Sequence, residues 1–279
     1  MDQNSPDAIL TRYRRAKTRR DTWESLWRQC YEYALPQREG ALTGAGSNVR
    51  TSDRLFDATA ADAVDQLAAS LVAQLTPPWS RWFGLAGGGE LAEEDRGALG
   101  EPLEQIAAAL QAHFDRSNFN VEIHQAFLDL ITVGTASLLF EEAAPGEASA
   151  FRFMAVPLGE LAFEERLDGR LDSTFRRTEM TAADLRVRFP KTMLPGDFEN
   201  SDRPGAEPRH AVIESVTPQE NGGYLYQAML EGAGGTSVLP VPLSSGRFAR
   251  SPFINFRWLK APGEIYGRSP VMKALPDIK

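Results

Sequence analysis

The sequence predicts an α+β protein, with long N-terminal helices and a helical region carrying short β hairpins, then a small β-rich module. Three observations predict this. Apolar residues recur at helical spacing through most of residues 6–133, and beyond Ser137 they gather instead into short runs separated by Gly, Asp and Asn. The composition, 42% hydrophobic and 24% charged, is that of a chain that buries a core. At 279 residues the chain has room for one large or two modest domains.

Ser5-Pro6 supplies an N-cap followed by proline at the first helical position. Ile9, Leu10 and Tyr13, then Trp23, Leu26, Trp27, Cys30, Tyr31 and Ala34, extend one long helix that stops before Pro36, with a possible break near Asp21. Residues 37–48, with Gly40, Gly44 and Gly46, read as a mobile loop. A second helix covers Phe56 to Leu75, with Val64, Leu67, Ala68, Leu71, Val72 and Leu75 on one face, and Pro77-Pro78 ends it. Pro102 is expected to open a third helix carrying Leu103, Ile106, Ala107, Leu110 and Phe114, and a fourth runs from about Asn120 to Val133.

Short apolar runs at Ser137–Phe140 and Phe151–Val156 then read as strands, and Asp168-Gly169 sits between strand-like flanks as a tight hairpin turn. Thr181 and Asp184 form a capping-box pattern that opens a short helix ending at Pro190. Pro195–Pro208 is a loop or linker. Strands are predicted at Ala211–Val216, Tyr224–Leu230, Thr236–Val241 and Phe253–Trp258, and Ser269-Pro270 begins a final helix. This gives a region of helices and hairpins at 1–190, a linker at 191–208, a β-rich module at 209–262 and the start of a helix at 263–279.

Several function classes drop out. One cysteine, Cys30, builds neither an internal disulfide nor a Cys-rich metal site, and three histidines without HExxH spacing argue against a zinc hydrolase. The N-terminus lacks an apolar signal region, no run approaches a membrane span, and a reducing, intracellular site of synthesis follows. There is no Gly-Lys-Ser/Thr phosphate loop, no GxGxxG after a strand and no GxSxG elbow. Acidic pairs such as Glu93-Glu94, Glu141-Glu142 and Glu164-Glu165 leave a carboxylate-dependent hydrolase or nuclease open by residue type, but adjacent acids are ordinarily solvated surface. His113, His124, His210 and Cys30 read as packing or hydrogen-bonding residues, and Trp79 and Trp82 as a packed corner beneath the proline pair. No cofactor or metal is called for.

The net charge of −8 is unevenly spread. Residues 1–55 hold 10 basic and 7 acidic groups, 56–89 hold 1 and 3, 90–172 hold 5 and 17, and 173–279 hold 14 and 11. A chain that gripped DNA by its phosphates would show a basic balance. The run Arg12–Arg20 is read as a solvated helix face, with a DNA-binding adaptor as the other reading.

Three ordered segments resemble the portal, or head-to-tail connector, proteins of short-tailed, podovirus-like bacteriophages. The first is Arg54-Leu-Phe-Asp57-Ala-Thr59-Ala60, leading through the Leu67–Leu71 helix to Leu75-Thr-Pro77-Pro78-Trp79-Ser-Arg-Trp82-Phe-Gly-Leu85. The second is Val133-Gly134-Thr135-Ala-Ser-Leu-Leu139 with a following Glu-Glu pair, Val156-Pro-Leu-Gly-Glu160, and the Asp168-Gly169 hairpin running into Phe175-Arg-Arg177. The third is Phe256-Arg-Trp258, Gly263-Glu264-Ile265-Tyr266-Gly267-Arg268-Ser269-Pro270 and Ala274-Leu-Pro-Asp-Ile-Lys279, of which the Gly-Glu-x-Tyr-Gly-Arg-Ser segment is the most specific.

The resemblance implies a structural protein rather than an enzyme: a virion component, made in the host bacterial cytoplasm, that forms a ring of twelve at one capsid vertex. Double-stranded DNA would pass through the ring without sequence specificity during packaging and ejection. The terminase large subunit, a tail adaptor, and capsid and scaffolding proteins would be its partners, and no membrane is involved. It also implies structural or interface roles for Asp57, Thr59, Pro77, Pro78, Trp82, Gly134, Thr135, Gly263, Glu264, Tyr266, Gly267, Arg268 and Ser269. On this resemblance residues 1–190 would be a wing-like region, 209–262 a clip-like module and 263–279 the start of a stem helix. The chain then corresponds to the N-terminal part of a larger subunit, since the rest of the stem, the tunnel loop, the long wing helix and the crown would follow.

Overall fold

A computed structural model describes residues 5–38, 57–90, 92–192, 209–231 and 240–279. The expected loop at 37–48 beyond Arg38 and the linker at 195–208 lie outside the described residues. The fold is α+β. Helix α1 (Pro6–Ala34) starts where Ser5 accepts the Ala8 amide, and it runs unbroken past Asp21 for 29 residues. It stops at Leu35 because proline follows.

Helices α2 (Thr59–Leu75), α3 (Glu93–Arg116) and α4 (Phe119–Val133) come next. Helix α3 begins nine residues earlier than expected, with Pro102 inside it. The turns around Pro102 are exposed, so the carbonyl whose amide partner proline removes lies on a solvent-facing stretch of helix. Helix α4 is buried without interruption from Ala126 to Val133, as a helix surrounded by other elements must be.

Two antiparallel sheets follow. β1 (Thr135–Glu142) pairs on one side with β2 (Phe151–Ala155) and on the other with β8 (Phe253–Arg257). The larger sheet is a meander of β3 (Leu161–Glu164), β4 (Ser173–Met180), β5 (His210–Pro218), β6 (Tyr224–Leu230) and β7 (Val241–Phe248). Of the strands in 209–262, three therefore continue the sheet begun by β3 and β4, and β8 returns to β1. The hairpin at Asp168-Gly169 has Gly169 at φ +82°, its amide bonded to the Arg166 carbonyl at 2.9 Å. Helix α5 (Ala182–Arg188) carries the full capping box: Thr181 Oγ1 accepts the Asp184 amide at 3.2 Å, and Asp184 Oδ2 accepts the Thr181 amide at 3.1 Å. Residues 236–239 of the strand expected at Thr236–Val241 lie outside the described residues; the strand described next is Val241–Phe248, pairing Leu230 with Val241 and Tyr224 with Phe248. Its exposed Ser-Ser-Gly-Arg stretch shows no apolar alternation to mark it.

Helix α1 spans two cores. Ile9, Leu10, Tyr13 and Ala16 pack on Ala162, Phe175, Ile213 and Met229 of the larger sheet. Trp27, Cys30, Tyr31 and Ala34 enter the main core with α4, β1 and helix α6 (Pro270–Ile278). The basic run lies on the first of these stretches, and much of it is engaged within the fold. Arg12 bonds Glu164 at 2.7 Å and Ser173 at 3.1 Å, Arg15 pairs with Glu164, Lys17 with Asp21, and the buried Arg20 donates to the Gly159 carbonyl. The edge strand β2 is closed by a side chain: Asn118 donates to the Phe153 carbonyl at 2.7 Å and accepts the Phe153 amide at 2.9 Å.

Candidate functional site

The Gly-Glu-x-Tyr-Gly-Arg-Ser segment crosses the turn between α4 and β1. Gly134 caps α4 in the left-handed conformation, φ +76°, the position where a helix ends and a Cβ is least tolerated. Gly267 lies directly against it. A Cβ on Gly134 would overlap the Gly267 carbonyl, with the Gly267 carbon only 2.6 Å away, and a Cβ on Gly267 would overlap the Gly134 carbonyl oxygen. Two backbones thus approach more closely than any side chain allows.

Polar groups fasten the crossing. Thr135 Oγ1 accepts the Gly267 amide at 2.8 Å, and the Gly134 carbonyl accepts the Trp258 amide at 2.9 Å. The Leu259 carbonyl accepts the Arg268 amide at 2.8 Å. Ser269 does two things at once: its hydroxyl donates to the Thr132 carbonyl at 2.8 Å and accepts the Met272 amide at 2.9 Å as the N-cap of α6. The C-terminus of α4, the start of β1 and the start of α6 are therefore one joint.

Tyr266 anchors the joint in the core. It is fully buried, edge-on to Trp27 at 4.9 Å between centroids and beside Trp23 and Phe163. Burial raises its phenol pKa well out of the physiological range. Arg268 lies outside that core, with its guanidinium 4.7 Å from the Trp23 ring centroid and a bidentate pair to Glu264. That hydrogen bonding holds the Glu264 carboxyl below its ordinary pKa and raises that of Arg268. Gly263, at φ +79°, turns the chain into the segment with open space around it.

The other motif residues sit apart from this joint. Asp57 Oδ1 accepts both the amide (2.7 Å) and the hydroxyl (2.5 Å) of Thr59, which lowers its pKa at the start of α2. Asp57 and Thr59 also line an apolar groove of about 430 Å³, between α2 and the Pro270–Ile278 helix. Pro77 and Pro78 follow the opposite end of α2, where Trp82 stacks on Phe119 and meets Phe114 edge-on at 5.3 Å. The packed corner uses Trp82 alone, because Trp79 is 72% exposed.

Two buried polar clusters were not anticipated from the sequence. Asp129 accepts from Tyr31 at 3.0 Å and pairs with Arg38 at 2.6 Å, tying the turn after α1 to the central helix. Burial raises the pKa of Asp129, with Arg38 pulling the other way, and raises that of Tyr31 further. Glu214, nearly inaccessible within β5, accepts from Tyr226 at 2.7 Å and faces Arg188 and Arg176. Arg188 also reaches Glu141 of β1 at 3.0 Å, joining the two sheets. The available signal was a lone acid inside an apolar run, Leu128-Asp129-Leu130 and Ile213-Glu214. Among the described residues, no group of three His, Cys, Asp or Glu side chains could hold a metal, and no helix is long and apolar enough to cross a membrane.

The described motif residues thus build an intersegment joint with buried aromatic anchors. Residues 6–279 match the family of bacteriophage head to tail connecting proteins, and the chain belongs to that family. It is 25% identical, over 290 aligned positions covering all of this chain, to a probable portal protein of Bordetella phage BPP-1. The chain spans about half (51%) of that relative's length.

Proposed function

We propose that this chain works as a portal subunit, whose copies close into a ring of twelve at one vertex of the capsid and form the conduit for double-stranded DNA. The observation that carries this reading is the family match along residues 6–279. In this reading the ring is a docking platform for the terminase large subunit and the tail adaptor, contacts capsid and scaffolding proteins during assembly, and resides in the virion. Residues 1–190 serve as the wing-like region, 209–262 as the clip-like module and 263–279 as the entry to the stem. The subunit acts mechanically and has no catalytic duty.

The physical chemistry supports that assignment. A conduit must let DNA slide, and strong phosphate contacts would act as a brake. The protein is acidic overall, and four of the six basic residues in the N-terminal run are spent on Glu164, Asp21 and Gly159. The joint at Gly134 and Gly267 fixes the direction in which α6 leaves the core, which is what a subunit holding its place in a ring requires.

Negative-stain microscopy of the purified protein tests the proposal. Rings with a central channel support it; a monodisperse monomer at every concentration, or a metal-dependent nuclease activity, overturns it.

A further inference from the structure

Helix α3 is poorly covered along its first half. Between Glu93 and Ile106, every side chain that is described is exposed except Leu103, which is half-buried. Yet this stretch is not uniformly polar. Leu99, Leu103, Ile106 and Leu110 follow one another at intervals of four, three and four residues, the spacing that aligns apolar side chains into a seam for a second helix. Leu99 is 38% and Ile106 50% exposed. Such a seam left in water marks an interaction surface.

The outer face of α1 has complementary properties. Thr11, Thr18 and Thr22 are exposed along it, and their hydroxyls donate to the carbonyls of Asp7, Arg14 and Arg19 at 2.8, 3.0 and 2.8 Å. Their polar groups are thus satisfied inside the helix, and covering this face strips no unpaired hydroxyl of water. The side chains are short, so another helix can approach closely. Arg14 and Arg19 are exposed on α1 and make no ion pair among the described residues, and their alkyl stems can cover apolar surface.

The charges also match. Residues 6–20 of α1 carry six basic groups and one acidic group, and residues 93–106 of α3 carry five acidic groups and one basic group. Fields of opposite sign steer two such surfaces together and disfavour α3 against α3 or α1 against α1. The two helices rest on different cores: the first half of α1 on the larger sheet, and the end of α3 on Phe119 and Phe153 through Phe114.

We propose that the Leu99–Leu110 seam of α3 in one copy docks along the Thr11–Thr22 face of α1 in the next copy. The inference rests on the ring reading above and names the surface by which the ring closes. Two different faces meet, so the contact is heterologous and propagates around a ring rather than ending at a dimer.

The full chain carrying both Thr18→Cys and Ile106→Cys, treated with a short bismaleimide, tests the contact. Cys30 competes poorly because it is buried and its pKa is pushed up to about 11. A ladder of covalent multimers on a denaturing gel, absent from either single variant, is expected. In parallel, Leu99→Glu with Ile106→Glu, both at exposed positions, should keep the wild-type circular dichroism and sediment as a monomer. Rings that persist in the Leu99→Glu, Ile106→Glu protein, with no ladder from the cysteine pair, overturn the seam and leave the ring reading standing. A wild-type chain that never oligomerises overturns both.

Discussion

Gly134 and Gly267 are stacked backbone on backbone, so that a Cβ built on either residue runs into the carbonyl of the other. Residues 133 positions apart in sequence thereby set how α4, β1 and α6 meet. Gly134→Ala has to adopt φ +76° and displace Gly267 at the same time, and it should destabilise the protein by about 3 kcal/mol or more. Gly267→Ala meets the Gly134 carbonyl and has Arg257 Cβ only 3.0 Å away, and should cost about 2 kcal/mol. Because each substitution opens the gap the other needs, the double variant should lose less than the two single losses together, as read from urea unfolding midpoints.

Ser269 joins two helix ends through one hydroxyl. Ser269→Ala should cost about 1–2 kcal/mol, because it removes the α6 cap and leaves the Thr132 carbonyl without its donor. Ser269→Thr keeps the hydroxyl and should restore most of that. Thermal melts of the three proteins provide the comparison.

Tyr266 should be the most costly side chain of its motif to remove. Truncation to alanine empties the space between Trp23, Trp27 and Phe163 and should cost about 3–5 kcal/mol, with a change in tryptophan fluorescence as the rings lose their neighbour.

Asp129 makes stability depend on pH. Its folded pKa is raised above its unfolded value, so the folded state holds the proton more tightly. Its contribution is complete below the ordinary aspartate range, near pH 4, and is lost as pH rises through the raised folded value. Asp129→Asn should flatten that part of the stability profile and melt no lower than wild type at pH 7. Asp129→Ala removes the acceptor for both Tyr31 and Arg38 and should cost about 1–3 kcal/mol.

Duplex DNA should bind weakly, and residues 90–172, with 17 acidic groups against 5 basic, should face away from it. Arg14→Ala with Arg19→Ala should reduce the slope of log affinity against log salt by no more than about 2, the limit for two phosphate contacts. A larger reduction, or crosslinks from DNA to the 90–172 segment, would count against a conduit.

Much of the architecture is local and so was legible in the chain itself. Ser5-Pro6, the Thr181–Asp184 box and Asp168-Gly169 act through neighbours one to three residues away, and they start a helix, start another and turn a hairpin where their chemistry predicts. The same locality explains the misses. Pro102 reads as a helix start because nothing in the sequence says its surroundings are solvated, and β7 carries no apolar alternation because only its backbone pairing with β6 makes it a strand. The family motifs were visible as residue types, and the sequence by itself determined the α+β class, the family resemblance and the glycines at 134 and 267. Only the tertiary structure decided that those two glycines touch, that the basic run is partly consumed by Glu164, and that Asp129 and Glu214 are buried. Each of these depends on which distant backbone or charge comes to lie opposite, and that distance is set by packing rather than by sequence separation.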